Sequence, residues 1–314
     1  VSIAECQTVL VAGSANLDFV VTAPRVPAPG ETILGRDLRT FSGGKGANQA
    51  VASARAGGAS TRMLLALGND AYAEPIEASL RAAGVKLDIV RAASEATGVA
   101  FICVADSAEN AITVAPGANA TLRATHLPPL GQISHLLLQL ETPLPVVQAW
   151  AEVARDAGVV VVLNAAPAAT LPEALLRCVD VLIVNEGELT MLAGPDGDID
   201  ARMQRLGVAC VVVTLGARGC RAWRGGETLS QPGFVVDAVD TTGAGDTFCG
   251  TLVAALSRGE AFASALRRAT AASALACTKM GAQAGMPSFD EVEGLLAATT
   301  EPGHRANASR QPRP

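Results

Sequence analysis

Aromatic residues are scarce: seven Phe, two Trp and one Tyr in 314 positions. A core must therefore be built from Ala, Val, Leu and Ile. No basic block appears, and 24 Lys and Arg stand against 30 Asp and Glu, for a formal charge of −6. That balance makes nucleic acid and anionic membrane poor partners. The seven cysteines are scattered, with no CxxC and no Cys/His cluster at zinc spacing, a pattern expected of reduced, buried thiols in a cytoplasmic protein. No apolar run is long enough to span a bilayer. The opening VSIAECQTVLVAG has no basic region and carries an early Glu, so no signal peptide is expected. His126, His135 and His304 show neither triad nor metal spacing. G-x-S-x-G, GxxxxGK[ST] and a GxGxxG after the first apolar run are all missing, which sets aside the corresponding hydrolase, P-loop and dinucleotide readings.

What the chain does have is length and apolar content, 49% of residues, enough for one large domain. Short apolar runs recur at TVLVAG (8–13), RMLLALG (62–68), HLLLQL (135–140), VVVVLN (159–164), VLIVN (181–185) and CVVVTLG (210–216). They read as buried strands of a mostly parallel sheet. Helical segments over 46–57, 74–84, 144–158 and 245–259 alternate with them. The expected fold is a doubly wound α/β domain over residues 1–300. Residues 16–41 and 97–115 break the alternation with strand-like pieces. They predict a small β-sheet standing off the main domain as a lid, formed by about 16–40 and 97–115. The polar, Pro-rich tail 301–314 is expected to be disordered.

Two glycine-rich stretches carry the candidate chemistry. In DTTGAGDTFCG (240–250), Gly243, Ala244 and Gly245 open a helix. A helix start leaves N–H groups unpaired and partly positive, which suits phosphate. Asp246, in the first turn, is either a surface acid complementing the helix dipole or a general base beside an anion hole. In FSGGKGANQAVASARAG (41–57), Gly43, Gly44 and Gly46 surround Lys45 at the mouth of another helix. This is either a glycine-rich loop with a solvated lysine, or a backbone closing over a small polar ligand with Lys45 and Asn48 as donors.

Further candidates sit at strand ends, where open α/β sheets bind ligands. Asn16 and Asp18 alternate on one strand face, as ordinary turn chemistry or as a pair reading vicinal hydroxyls. Glu141 ends the run HLLLQLE. Asn185 and Glu188 stand three apart, as an N-cap with its N3 acid or as water-mediated Mg²⁺ or phosphate contacts. TLGARG (214–219) is a second glycine turn after a strand.

Taken together, GSxNxD, PxPGET, GGKGANQA, ATGVA, PGAN, LQLE, LNAAPA, NEGE, TLGxxG and DTTGAGDTFCG, in this order from residue 9 to about 290, resemble the PfkB carbohydrate kinase family, most of all its ribokinase branch. The resemblance implies ATP-dependent phosphorylation of D-ribose to D-ribose 5-phosphate, on a ribokinase-like doubly wound sheet with a β lid. It implies Asp246 as base and Gly243, Ala244 and Gly245 as anion hole. Asn16, Asp18, Gly44, Lys45, Gly46, Ala47, Asn48 and Glu141 would hold the sugar. Asn185, Glu188, Thr214, Leu215, Gly216, Ala217, Arg218, Gly219, Gly245 and Thr270 would meet ATP and its Mg²⁺. Asp240, Thr242, Ala276, Lys279, Gly281 and Gly285 would hold a monovalent cation, K⁺. Gly285 departs from the hydroxyl residue some relatives place there, leaving main-chain oxygen only. An apolar lid face through Phe19, Val21, Phe101 and Cys103 would join two copies as a homodimer.

Overall fold

The computed structural model describes residues 8–107 and 109–299. The expected tail, Cys6 and His304 lie outside the described residues. The first apolar run forms β1 (Thr8–Ala12), and β2 (Asn16–Ala23) and β3 (Leu38–Gly43) follow. Then come α1 (Lys45–Arg55), β4 (Thr61–Leu67), α2 (Ala73–Ala82) and β5 (Lys86–Arg91). A hairpin of β6 (Gly98–Ala105) and β7 (Asn110–Ala115) precedes β8 (Ile133–Leu138), α3 (Leu144–Asp156), β9 (Val160–Asn164) and the single turn α4 (Glu173–Leu176). The chain continues through β10 (Val181–Asn185), α5 (Glu186–Ala193), α6 (Ile199–Arg205), β11 (Cys210–Thr214), β12 (Cys220–Arg224) and β13 (Glu227–Gln231). It ends in α7 (Ala244–Ser257), α8 (Phe262–Ala276), α9 (Ala282–Gly285) and α10 (Phe289–Ala298).

Nine strands form one sheet in the order β13-β12-β11-β10-β9-β8-β1-β4-β5. It is parallel from β11 to β5, and antiparallel only where β12 and β13 extend the edge. Side chains alternate between two apolar layers: Val9 and Val11 enter one, Leu10 and Ala12 the other. Both faces are covered, which is why these strands read as unbroken apolar runs. The β12–β13 hairpin went unread in the sequence, although Gly225-Gly226 joins its strands with φ of 60° and 89°. Two glycines with positive φ make the tight turn whose twist matches paired strands.

The second sheet, β3-β2-β6-β7, leaves the first at Gly13–Ala15. Its strand β3 runs to Gly43, beyond the expected limit at residue 40, and delivers the chain directly into α1. Ile112 and Phe101 are each 56% exposed on its two faces, and Leu38 also lies open to solvent. Phe19 is half-buried, stacked on Phe101 and edge-on to Tyr72, and Val21 and Cys103 are half-buried too.

Helices α1 and α7 cross closely, and small residues permit it. A β-carbon on Gly250 would stand 2.3 Å from the Gln49 carbonyl oxygen, and one on Gly57 would stand 2.3 Å from the Ala254 methyl. The crossing sets the α1 residues Asn48 and Gln49 over the first turn of α7. We expect Gly250→Ala to lower the unfolding free energy by about 1–3 kcal/mol through overpacking, measured by urea denaturation. A variant as stable as the parent would contradict the close crossing.

Candidate active site

Helix α7 starts at Gly243, in the left-handed region with φ 76°. A β-carbon there would lie 2.9 Å from the Ala282 Cα, so space as well as conformation calls for glycine. The Thr247 N–H bonds the Gly243 carbonyl at 2.8 Å, and the Ala244 N–H reaches Thr241 at 3.2 Å. The N–H groups of Gly245 and Asp246 have no acceptor among the described residues. Open space surrounds Gly245. Two donors at a positive helix end are therefore available to an anion.

Asp246 is not a surface acid, being only 8% exposed. Its Oδ2 accepts from Asn48 Nδ2 at 3.0 Å and its Oδ1 from Gln49 Nε2 at 2.9 Å. Burial raises the Asp246 carboxyl above its ordinary range, while nearby Lys45 and the two amides pull it back. Gln49, fully buried, also donates to Asn164 Oδ1 at 2.9 Å and accepts from Gln139 Nε2 at 2.7 Å.

The start of α1 is arranged differently, because its N–H groups are already used. Glu141 Oε2 accepts the Lys45 N–H at 3.0 Å and the Ser14 hydroxyl at 2.6 Å. The Gly46 N–H donates to Ser14 Oγ at 3.3 Å, and the Ala47 N–H to the Ser14 carbonyl at 2.9 Å. Glu141 thus caps α1 with one oxygen, and its other oxygen makes no hydrogen bond among the described residues. A β-carbon on Gly44 or Gly46 would come within 2.8 Å or 2.7 Å of the Gly13–Ala15 backbone. These glycines let α1 abut the junction of the two sheets.

Asn16 is buried and accepts from Asn119 Nδ2 at 2.8 Å, while Asn119 also bonds both backbone groups of Ala15. Asp18 projects from the same strand face, over Gly43. Burial, then the charges of Glu141 and Asp246, push its carboxyl up to about 7. Burial lowers the Lys45 ammonium, but Asp246, Glu141 and Glu188 outweigh it and hold it above the ordinary lysine range. Several acids thus surround one cation that makes no direct hydrogen bond or ion pair among the described residues.

Lys45, Asp246, Gly245, Glu188, Asn185 and Thr214 line a cavity of about 160 Å³. Asn185 and Glu188 form a reciprocal cap of α5, with N–H to oxygen distances of 2.8 Å in both directions. The cap uses one Glu188 oxygen, and burial raises this carboxyl. Thr214 and Gly245 also line an apolar cleft of about 380 Å³, with Gly216, Ala217, Gly219, Phe234, Val235 and Thr270. Leu215 instead packs, partly buried, against the core, and Arg218 turns to Glu186 at 2.6 Å.

Beside α7, Asp240 accepts from the Thr242 and Gly281 N–H groups at 2.9 and 2.8 Å. A β-carbon on Gly285 would meet the Lys279 and Ala276 carbonyl oxygens at 3.0 and 3.2 Å. Two carbonyl oxygens thus face the space at Gly285, a donor type that suits a monovalent cation. The Lys279 ammonium points away, to Glu291 at 2.7 Å.

Sequence reasoning missed Gln49, Asn164, Gln283, Ser14 and Asn119. Ser14, Gln49, Asn119 and Asn164 lie inside the quoted GSxNxD, GGKGANQA, PGAN and LNAAPA motifs, which locate them without naming their partners. His126 pairs with its own Arg123 backbone, and His135 is half-buried beside Ser134, away from the site.

The model of the pfkB family carbohydrate kinases matches residues 7–288. The chain is 39% identical to the ribokinase of Haemophilus influenzae, over 92% of this chain and 98% of that one. It is 36% identical to the ribokinase of Bacillus subtilis, over 93% and 100%. Among solved structures, the Arabidopsis thaliana ribokinase complexed with ribose and ATP superposes with a TM-score of 0.84 at 33% identity, covering 93% of this chain and 98% of that one.

Asp18 gives a pH test. Its folded-state carboxyl stands near 7 against an ordinary 3.8. A raised pKa contributes stability that is present below 3.8 and lost as pH rises through 7. Asp18→Asn should therefore raise Tm at pH 8 by a few degrees, about 2–4 °C per kcal/mol, and much less at pH 4. Calorimetry of the ligand-free protein at both pH values reads the difference. An equal shift at both would contradict the assignment.

Proposed function

The chain belongs to the pfkB family of carbohydrate kinases, and we propose that it transfers the γ-phosphoryl group of ATP to the primary hydroxyl of D-ribose, giving D-ribose 5-phosphate and ADP. The observation that carries this reading is the buried Asp246 carboxylate at the same helix start as the uncommitted N–H groups of Gly245 and Asp246. A base and an anion site side by side are what phosphorylation of a hydroxyl requires. The names of the bacterial relatives, and the ribose and ATP of the Arabidopsis complex, support ribose as acceptor and ATP as donor.

Asn16, Asp18, Lys45 and the open oxygen of Glu141 would hold the sugar hydroxyls. Asp246 takes the proton of the primary hydroxyl as its oxygen bonds to the γ-phosphorus. The bond from that phosphorus to the β,γ-bridging oxygen breaks, and ADP leaves with its electron pair. Charge developing on the γ-phosphoryl oxygens meets the Gly245 and Asp246 N–H groups and the Lys45 ammonium. Catalysis is then mostly positioning and charge stabilisation. The adenosine would lie in the apolar cleft, with its phosphates passing between Thr214 and Gly245.

Mg²⁺, when bound, neutralises phosphate charge, and the open oxygen of Glu188 faces the cavity where it would sit, through water. The Ala276 and Lys279 carbonyls with Asp240 would hold K⁺, which adds fixed positive charge behind the anion site. The small sheet would close on the sugar as a lid and exclude water. Its exposed apolar residues support a homodimer through the lids. The uncombined thiols of the six described cysteines support a cytoplasmic setting.

Asp246→Asn should reduce turnover on the order of 10²–10⁴-fold while the protein stays folded and still binds ribose. ADP release across pentoses, hexoses and nucleosides, with and without K⁺, tests substrate and base together. Near-normal turnover in the variant sinks the base, and absence of sugar-dependent ADP in the parent sinks the kinase.

A further inference from the structure

Asn48 donates to one Asp246 oxygen, and its far end is also held. Gln283 Nε2 donates to Asn48 Oδ1 at 3.1 Å, and Ser79 Oγ donates to Gln283 Oε1 at 2.6 Å. The chain Ser79–Gln283–Asn48–Asp246 joins α2, α9, α1 and α7. Gln283 is 6% exposed, so water does not compete freely for its amide.

The direction of this chain matters. An ionised carboxylate only accepts, so Asn48 must present its nitrogen to Asp246. An asparagine amide has nearly the same shape after half a turn, and that turn would face two oxygens at each other. Gln283 opposes the turn from the other end, because its N–H group needs the Asn48 oxygen. Helix α9 is itself seated by the site: the Gly281 N–H bonds Asp240, and Ala282 abuts Gly243 at the anion hole. The element holding the Asn48 amide thus also packs against the turn that starts α7.

We propose that Gln283 is a positioning residue for the phosphoryl transfer. It orients Asn48, and through Asn48 the Asp246 carboxylate, without touching sugar or nucleotide. This rests on the reading of Asp246 as the base.

Gln283→Leu keeps the volume and removes both amide functions. We expect kcat to fall on the order of 10–10²-fold from misplacement of the base, with KM for the sugar changed by less than about threefold. The ionised carboxylate loses an ordered donor, so the Asp246 titration should move up by roughly one pH unit. This is read by carboxyl ¹³C NMR of the substrate-free enzyme, with the signal assigned through Asp246→Asn. In an Asn48→Ala background Gln283→Leu should change neither quantity further, since the effect passes through Asn48.

Equal, additive losses in both backgrounds, or an unmoved Asp246 titration, would overturn the proposal. If Gln283→Leu does not fold, Ser79→Ala removes the outer donor alone and should shift the titration in the same direction by less; no shift there overturns it too. A parent enzyme that releases no ADP with any sugar defeats the kinase reading separately. The titration and its dependence on Asn48 still decide the positioning role.

Discussion

The site is organised around one acid, Asp246, held out of water among hydrogen-bond donors. An unpaired buried carboxylate would take up a proton or destabilise the fold by several kcal/mol or more. At Asp246, consecutive residues of α1, Asn48 and Gln49, reach the two oxygens with amide donors and oppose the rise that burial imposes. Hydrogen bonds to a charged group contribute about 1.5–3 kcal/mol each, and Lys45 adds a nearby cation. A side chain on Gly250 would meet the Gln49 carbonyl oxygen at 2.3 Å and strain the crossing that sets Asn48 and Gln49 against Asp246.

The same economy of backbone explains the two helix starts. Both α1 and α7 begin at glycines, yet their N–H groups have different fates. Those of α1 are satisfied by Ser14 and Glu141, so this helix end is a structural joint between the two sheets. Those of Gly245 and Asp246 in α7 have no acceptor among the described residues. A carboxylate one residue from an anion site repels the anion unless it carries out a task there, and proton transfer is such a task. Lys45 sits where it offsets that repulsion. The neighbouring acids favour its charged form, and among the described residues no ion pair commits it elsewhere.

The alternation of apolar runs and glycine turns made the parallel sheet readable, since strands covered on both faces need little polarity. The small sheet was readable in outline, from β pattern inside an α/β chain. The edge hairpin was not, because Cys220–Arg224 and Glu227–Gln231 are short and half polar. At the site, charged and glycine residues were legible because their chemistry is local: an acid at a helix start, a glycine at a turn. Gln49 and Gln283 were not. An amide in a helix states no partner, and the partner of Gln49 lies 197 positions away. Asn185 and Glu188 form the helix cap that their spacing suggests, and Glu188 also lines the cavity with one oxygen that the cap does not use.

Proton transfer to Asp246 requires the attacking hydroxyl to sit against its carboxyl group. A crystal structure with ribose and a non-hydrolysable ATP analogue measures this directly. With Asp246 as base, the primary hydroxyl oxygen is expected within about 2.6–3.2 Å of an Asp246 carboxylate oxygen. The γ-phosphate oxygens are expected on the N–H groups of Gly245 and Asp246. A hydroxyl turned away from Asp246, or a γ-phosphate bound elsewhere than at the start of α7, would contradict this mechanism.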